Sequence, residues 1–206
     1  MRKTPSKLAK MINYKTYSYE EDEHLFGPGK RLLLFCQGCS IHCKGCINQH
    51  LWEFGVGKDI STEEVVSLCQ GVEGITLHGG EPLDQSDGLL EIVQALKASG
   101  KTVILFTGYK FKELKTPSQK QVWKLADLVV SGRYVEAKRN VYLQFRGSTN
   151  QRVYRHKGKY GNYKLKDGKT VAIFRMTEEG EVQSRGFRKA ELEALLREVT
   201  KPQQTK

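Results

Sequence analysis

The sequence predicts an α/β fold, a mainly parallel sheet that is open or curled toward a partial barrel, followed by a small basic appendage. Short apolar runs typical of strands buried on both faces alternate with amphipathic helical segments over residues 31–132. Strands that alternate with helices imply parallel βαβ units with right-handed crossovers. After residue 132 this rhythm stops, and twelve basic residues face two acidic ones over residues 133–175. The appendage is therefore expected to be a separate, basic element.

The first predicted strand is the apolar run RLLLF at residues 31–35. A helix follows over residues 61–71, because Ser61 and Glu64 have the spacing of a capping box and Gly71 suits a helix end. The stretch GITLHGGEP, residues 74–82, predicts a second strand that breaks at its paired glycines.

The same order then repeats. Residues 87–100 place their aliphatic side chains broadly on one helical face and end at a glycine. TVILFTGY predicts a third buried strand, QKQVWKLA a shorter helix and DLVVSG a fourth strand. Thr107, Tyr109 and Ser131 end these strands, where active-site groups gather in barrels.

The appendage is expected to contain a β-hairpin over residues 155–176 and a closing amphipathic helix over residues 187–199. Asp167-Gly168 is the turn signal of the hairpin, since it lies between runs that partly alternate. The predicted organisation is a disordered tail at residues 1–12, a core domain at 13–153 and a basic extension at 154–206.

Composition limits the classes of function. The formal charge of +11 suggests an acidic partner surface or a polyanion, although surplus lysine also serves solubility. No apolar stretch reaches the roughly 18 residues of a membrane span, and the N-terminus lacks the pattern of a secretory signal. We therefore expect a cytoplasmic protein, where thiols are reduced and structural disulfides are rare.

Four of the five cysteines lie within residues 36–46, directly after the first strand. Structural zinc sites usually take two CxxC pairs from segments a dozen or more residues apart. Only three residues separate the two pairs in this loop, so a zinc site would be geometrically cramped. Disulfides do not suit the compartment. Three cysteines, Cys39, Cys43 and Cys46, can hold three irons of a cluster and leave the fourth iron open. Clusters that only carry electrons are normally held by four cysteines, so an open iron indicates chemistry on a bound molecule.

This CxxxCxxC spacing, together with HGGEP at residues 78–82, resembles the radical S-adenosylmethionine (SAM) superfamily. The resemblance implies a [4Fe–4S] cluster with Cys39, Cys43 and Cys46 as its ligands. It also implies that SAM contacts two segments, one at Gly45, Cys46 and Ile47 and the other at Gly79, Gly80 and Glu81. The glycines would let backbone carbonyls approach the methionine ammonium, and Glu81 would offset its charge.

Four longer strings narrow the resemblance: the cysteine region from residue 27, GGEPL, FTGY and RGSTNQR at residues 146–152. Together they resemble the activating enzymes of anaerobic ribonucleotide reductases, which implies a shortened radical SAM barrel. The implied reaction is reductive cleavage of SAM to a 5′-deoxyadenosyl radical, which takes hydrogen from a glycine of the reductase. The implied partners are the large subunit of that glycyl-radical reductase and an electron donor such as flavodoxin or ferredoxin.

Two features depart from that family: Cys36 is an additional cysteine, and the basic extension has no counterpart in the shorter members. Cys36 is expected to pack as a small apolar residue at the end of the strand. A fourth iron ligand at this position would leave no place for SAM.

Three alternatives stay open. A radical SAM enzyme acting on another protein, a small molecule or RNA, as in deazapurine synthesis, would share the cluster and GGEP, and RNA would suit the basic half. An iron–sulfur electron carrier or a zinc-binding module would need no SAM. Nucleic acid is a possible partner that the motifs do not favour, and no membrane partner is expected.

Overall fold

The computed structural model describes residues 11–169, 171–176 and 182–186. The strands are β1 Ile12–Glu20, β2 Arg31–Cys36, β3 Lys58–Ile60, β4 Gly74–Gly79, β5 Thr102–Thr107, β6 Leu128–Ser131, β7 Arg152–Arg155, β8 Ala172–Met176 and β9 Val182–Gly186. The α-helices are α1 Thr62–Leu68, α2 Ser86–Ala98 and α3 Pro117–Leu125. No helix among the described residues is long and apolar enough to cross a membrane.

Seven strands form one open sheet in the order β3-β1-β2-β4-β5-β6-β7. The four central strands, β2, β4, β5 and β6, are parallel, as the alternating pattern predicted. β1, β3 and β7 add antiparallel edges that the sequence analysis did not predict. The α/β class and the unclosed, partial-barrel architecture are confirmed.

The three helices pack on one face of the sheet. Leu32 and Leu34 of β2 point into the helix-side core, whereas Leu33 and Phe35 point to the opposite face. Strands covered on both faces need apolar residues at successive positions, which is why RLLLF reads as a continuous run. Because β2, β4, β5 and β6 run parallel, their carboxyl ends meet at one edge of the sheet.

The helix boundaries follow local capping chemistry. The Ser61 hydroxyl accepts from the Glu64 N–H at 3.2 Å, and the Glu64 carboxylate accepts from the Ser61 N–H at 2.8 Å. This is the predicted capping box, and α1 begins directly after it. α3 begins earlier than predicted, at Pro117, because Thr116 caps it and proline suits the first helical position.

The C-terminal extension contains an antiparallel strand pair, as predicted, but β8 and β9 form it, and the predicted position of the hairpin turn at Asp167-Gly168 is wrong. The two residues do form a turn, but β8, which follows it, pairs with β9, which lies later in the chain. Asp167 is held by a distant contact instead, since its carboxylate accepts two hydrogen bonds from Arg146 at 2.8 and 2.6 Å. The predicted helix at residues 187–199 and most of the predicted N-terminal tail lie outside the described residues; β1 begins at Ile12, within that predicted tail.

Candidate iron–sulfur and cofactor site

A cavity opens at the carboxyl ends of the central strands, where ligands bind in open α/β sheets. It encloses about 800 Å³ of space, part of it open to solvent. Its walls come from the cysteine loop, the GGE segment, the ends of β5 and β6, and the RGSTNQR region. They include the side chains or backbone of Cys39, Ile41, Cys43, Gly45, Cys46, Ile47, Asn48, Trp52, His78, Gly79, Gly80, Glu81, Phe106, Thr107, Gly108, Val130, Gly132, Tyr134, Phe145, Gly147 and Gln151. Every residue that the sequence analysis assigned to the cluster or to SAM is among them.

The extra cysteine, Cys36, lies apart from the other three cysteines of this region. Its side chain is fully buried in the helix-side core, and burial raises the pKa of its thiol to about 12. Cys39, Cys43 and Cys46 instead line the cavity. Because side chains alternate along β2, Cys36 lies on the same helix-side face as Leu32 and Leu34.

The paired glycines bring the end of β4 against the cysteine loop. The Gly80 N–H donates to the Cys36 carbonyl at 2.8 Å, and the Glu81 N–H donates to the Gly38 carbonyl at 2.9 Å. A Cβ on Gly80 would lie 2.1 Å from the Gly38 carbonyl oxygen, so no larger residue fits there without movement. Glycine is therefore needed at position 80 because two segments of the chain, the end of β4 and the cysteine loop, approach each other closely there.

Glu81 is a buried carboxylate that the protein's own donors hold in place. It accepts hydrogen bonds from the N–H of Leu83 at 3.0 Å, the hydroxyl of Thr107 at 2.8 Å and the N–H of Gly108 at 2.7 Å. Burial outweighs these bonds and raises the pKa of Glu81 to about 7. An ionised carboxylate has about four acceptor positions, so one remains for a further donor.

Backbone N–H groups surround the three thiols. Burial raises the pKa of Cys39 and of Cys43, while backbone N–H groups of Ile41 and His42 act on Cys39 in the opposite direction. The N–H of Asn48 donates to the Cys46 sulfur at 3.3 Å, and its side-chain amide donates to the Gly79 carbonyl at 3.3 Å. Hydrogen bonds to sulfur help to set the potential of iron–sulfur clusters. The sequence analysis missed Asn48, whose one signal is its position two residues after the last cysteine.

The two histidines near the cavity have packing roles. His42 is exposed, and its ring stacks on Trp52 with 4.5 Å between ring centroids. His78 packs between Phe35 and Phe106, and its Nδ1 accepts from the Gly79 N–H at 2.7 Å.

Residues 132–151, which we call the clasp, close the cavity beyond β6. The clasp ends within the RGSTNQR string. Gln151 accepts from the N–H of Gly147 at 2.8 Å and of Ser148 at 3.2 Å, and its amide donates to the Gly132 carbonyl at 2.9 Å. Arg146 pairs with Asp167 of the same chain, whereas Arg152 is exposed on β7. The clasp supplies the wall that an unclosed sheet lacks.

The residues present suit an iron–sulfur cluster with an attached organic ligand. Three thiols face one cavity, and apolar side chains such as Ile41, Phe106 and Phe145 line much of the rest. Within the described ranges, no three His, Cys, Asp or Glu side chains converge closely enough to hold a single metal ion. The three thiols at the cavity supply sulfur ligands, which are the ligands that iron–sulfur clusters take.

Comparison with known proteins gives consistent matches. The family described as "4Fe-4S single cluster domain" matches residues 25–154. The anaerobic ribonucleoside-triphosphate reductase-activating protein of Haemophilus influenzae is 33% identical over 157 residues, which cover 71% of this chain and 99% of that protein. Its namesake from Escherichia coli K12 is 32% identical over 154 residues (69% and 98%), and that of Enterobacteria phage T4 is 34% identical over 137 residues (62% and 85%).

Among solved structures, QueE from Escherichia coli matches with a TM-score of 0.44 and 14% identity over 61% of this chain and 73% of that chain. The sequence matches are much stronger, and they extend over nearly the whole of two of the named relatives. With its cysteine loop, GGE segment and clasp at one cavity, and with a match to the 4Fe-4S single cluster domain over residues 25–154, the chain belongs to the family of anaerobic ribonucleoside-triphosphate reductase-activating proteins.

Proposed function

We propose that this protein is a radical SAM enzyme that generates the glycyl radical of an anaerobic ribonucleoside-triphosphate reductase. The observation that carries the proposal is the placement of Cys39, Cys43 and Cys46 on the same cavity as the GGE segment, in a chain of this family. The three thiolates would hold a [4Fe–4S] cluster, with Cys36 withdrawn into the core.

When bound, the cluster and SAM supply a 5′-deoxyadenosyl radical that removes a hydrogen atom from a glycine Cα. The chain's own residues bind and orient the cofactors for that chemistry. Gly45 and Ile47 extend the cysteine loop along the cavity, and Gly79 and Gly80 bring the backbone of the GGE segment to the cavity beside that loop. Glu81 would accept one more hydrogen bond, from the ammonium of SAM, which would favour its ionised form.

Exclusion of water is the second task of the cavity. Its apolar walls include Phe106, Val130 and Phe145, and the last two are buried. A site that sheds water protects reactive intermediates from side reactions. The clasp limits the opening on the side where the sheet ends, so the substrate glycine would enter from the solvent-facing mouth of the cavity.

The partners in this proposal are the large subunit of the reductase, as protein substrate, and a one-electron donor such as flavodoxin or ferredoxin. A net charge of +11 would favour association with an acidic donor. A reducing compartment such as the cytosol suits five cysteines that form no disulfide.

The test is anaerobic reconstitution with iron, sulfide, SAM and a reductant, followed by addition of a glycyl-radical reductase. We expect 5′-deoxyadenosine together with a glycyl-radical signal in the electron paramagnetic resonance spectrum of the reductase. A reductase whose radical glycine is replaced by alanine is the control. Cleavage of SAM without any radical on the reductase would refute the proposed protein substrate. Absence of SAM cleavage would refute the proposed radical SAM activity.

A further inference from the structure

One carboxylate that the proposed chemistry does not use fixes the segment between Cys39 and Cys43. Asp84 lies in the short 3₁₀ helix Pro82–Gln85, directly after the GGE segment. Its Oδ2 accepts from the backbone N–H of Ser40 at 2.7 Å, and its Oδ1 accepts from the Ser40 hydroxyl at 3.0 Å. Since Ser40 follows Cys39 in the chain, both bonds act on the residue next to a proposed iron ligand.

Tyr109 holds the same carboxylate from the other side. Its hydroxyl donates to Asp84 Oδ1 at 2.9 Å and lies 2.9 Å from the Ser40 hydroxyl oxygen. Tyr109 is itself anchored, because its N–H donates to the Thr107 hydroxyl at 3.1 Å and its carbonyl accepts from Ser131 at 2.8 Å. The contact therefore ties the cysteine loop to the ends of β5 and β6.

We propose that Asp84 is a positioning residue for the iron–sulfur cluster, which sets the direction in which the chain leaves Cys39. The inference rests on the proposed function, because it concerns the cluster that Cys39 would ligate. An ionised carboxylate fits this task since it only accepts, and the three groups that face it can all donate. Its negative charge would also lower the reduction potential of a cluster held by Cys39, because that potential depends on local charge and hydrogen bonding.

The decisive comparison is Asp84→Asn with Asp87→Asn. Asp87 lies in the first turn of α2, and its carboxylate accepts from the Ser118 hydroxyl of α3 instead of from the cysteine loop. In Asp84→Asn an amide NH₂ replaces one carboxylate oxygen, so the negative charge is lost and the three charge-assisted bonds become weaker neutral bonds or are broken. After anaerobic reconstitution, we expect Asp84→Asn to release iron to a chelator about tenfold faster than the wild type, the usual effect of losing a partner that orients a ligand. Its midpoint potential should rise, and Asp87→Asn should match the wild type in both measurements.

Tyr109→Phe gives a second measurement if Asp84→Asn does not fold. It keeps both Ser40 bonds and removes the third, so iron release and potential should change in the same direction by a smaller amount. Hydrogen exchange of the cluster-free protein supplies a readout that needs no cofactor. Amide exchange at residues 40–43 should be faster in Asp84→Asn or Tyr109→Phe than in Asp87→Asn.

The inference is overturned if the Asp84 and Tyr109 variants match Asp87→Asn in iron release, potential and loop exchange. A wild-type protein that takes up no cluster through its three cysteines would instead overturn the proposed function. In that case the exchange rates still decide whether Asp84 holds the loop.

Discussion

Complete burial in the helix-side core separates Cys36 from the three cysteines that line the cavity. A thiol whose pKa burial raises to about 12 is protonated at neutral pH, and the thiolate is the form that binds metal. At the scale of single residues, the position of Cys36 in the core predicts that it is the cysteine of this region that can be replaced without loss of activity.

We expect Cys39→Ala, Cys43→Ala or Cys46→Ala to reduce 5′-deoxyadenosine formation to background, because each removes an iron ligand. Cys36→Ala should keep most of the activity and lose about 1–2 kcal/mol of stability for the small cavity it leaves. Chromatography of the nucleoside product and thermal unfolding measure the two effects. Loss of the cluster in Cys36→Ala alone would contradict the assignment of ligands.

Glu81 should make the cofactor-free protein sensitive to pH. Because folding raises its pKa from 4.5 to about 7, the folded state binds the proton more tightly than the unfolded chain. The stability that Glu81 contributes is then full below its unfolded pKa and is lost as the pH rises through about 7, by roughly 3 kcal/mol in all.

Urea unfolding of the wild type and of Glu81→Gln at about pH 5 and about pH 8 measures this effect. The glutamine amide does not titrate, so any cost of its NH₂ group is the same at both pH values. The free energy of unfolding of Glu81→Gln, relative to that of the wild type, should be greater at the higher pH by most of that amount. An unchanged difference would show that Glu81 ionises in its burial site without penalty.

At the scale of elements, the site depends on how closely β4 and the cysteine loop approach each other. Gly80→Ala would push a Cβ against the Gly38 carbonyl, a backbone atom that cannot rotate away. We expect a loss of about 1–3 kcal/mol in stability and a fall in iron bound per chain after reconstitution.

Gly100→Ala is the matched control for that change. Gly100 has a φ of +75° and no atom within 4 Å of an added Cβ, so it tests backbone strain without a contact. Its cost should be about 1–2 kcal/mol with iron content unchanged. Equal iron content in both variants would mean that the spacing between β4 and the loop does not matter for the cluster.

The elements that the sequence predicted are those whose signal is local. Continuous apolar runs identify β2, β4, β5 and β6, and the Ser61 to Glu64 spacing identifies the start of α1. The sequence analysis missed β1 and β7 because two of the nine residues of β1 and none of β7 are buried, so no continuous apolar run marks either strand. The cysteine spacing is equally local and identified the candidate ligands.

What the sequence could not show depends on contacts between distant positions. Asp84 acts on Ser40 across 44 residues, and no spacing rule links the two. The Asp167-Gly168 signal predicts a hairpin because no local feature shows that the Asp167 carboxylate pairs with Arg146, 21 residues earlier in the chain. Such contacts form only once the sheet has brought its edges together.

At the scale of the whole molecule, the packing of residues 154–169 bears on where the core domain ends. Tyr160 is buried, and its hydroxyl accepts from the guanidinium of Arg31 at 3.0 Å. Arg31 is fully buried in β2, where it also donates to Thr76 and Thr102, and burial lowers its pKa. Residues beyond the expected boundary at 153 thus complete the environment of a buried charge. We infer that the separable part of the chain begins after Lys169.

A chain ended after Lys169 should therefore fold and cleave SAM, since the Haemophilus relative is matched over 99% of its length by 71% of this chain. A chain ended after Val153 should not, because it removes Tyr160 beside Arg31 and Asp167 beside Arg146. Loss of a hydrogen bond to a buried charged group costs about 1.5–3 kcal/mol, a substantial share of the stability of a domain. Circular dichroism melting and 5′-deoxyadenosine formation compare the two chains. Equal melting temperatures would place the boundary at residue 153, and an inactive but folded 169-residue chain would give the basic extension a part in catalysis.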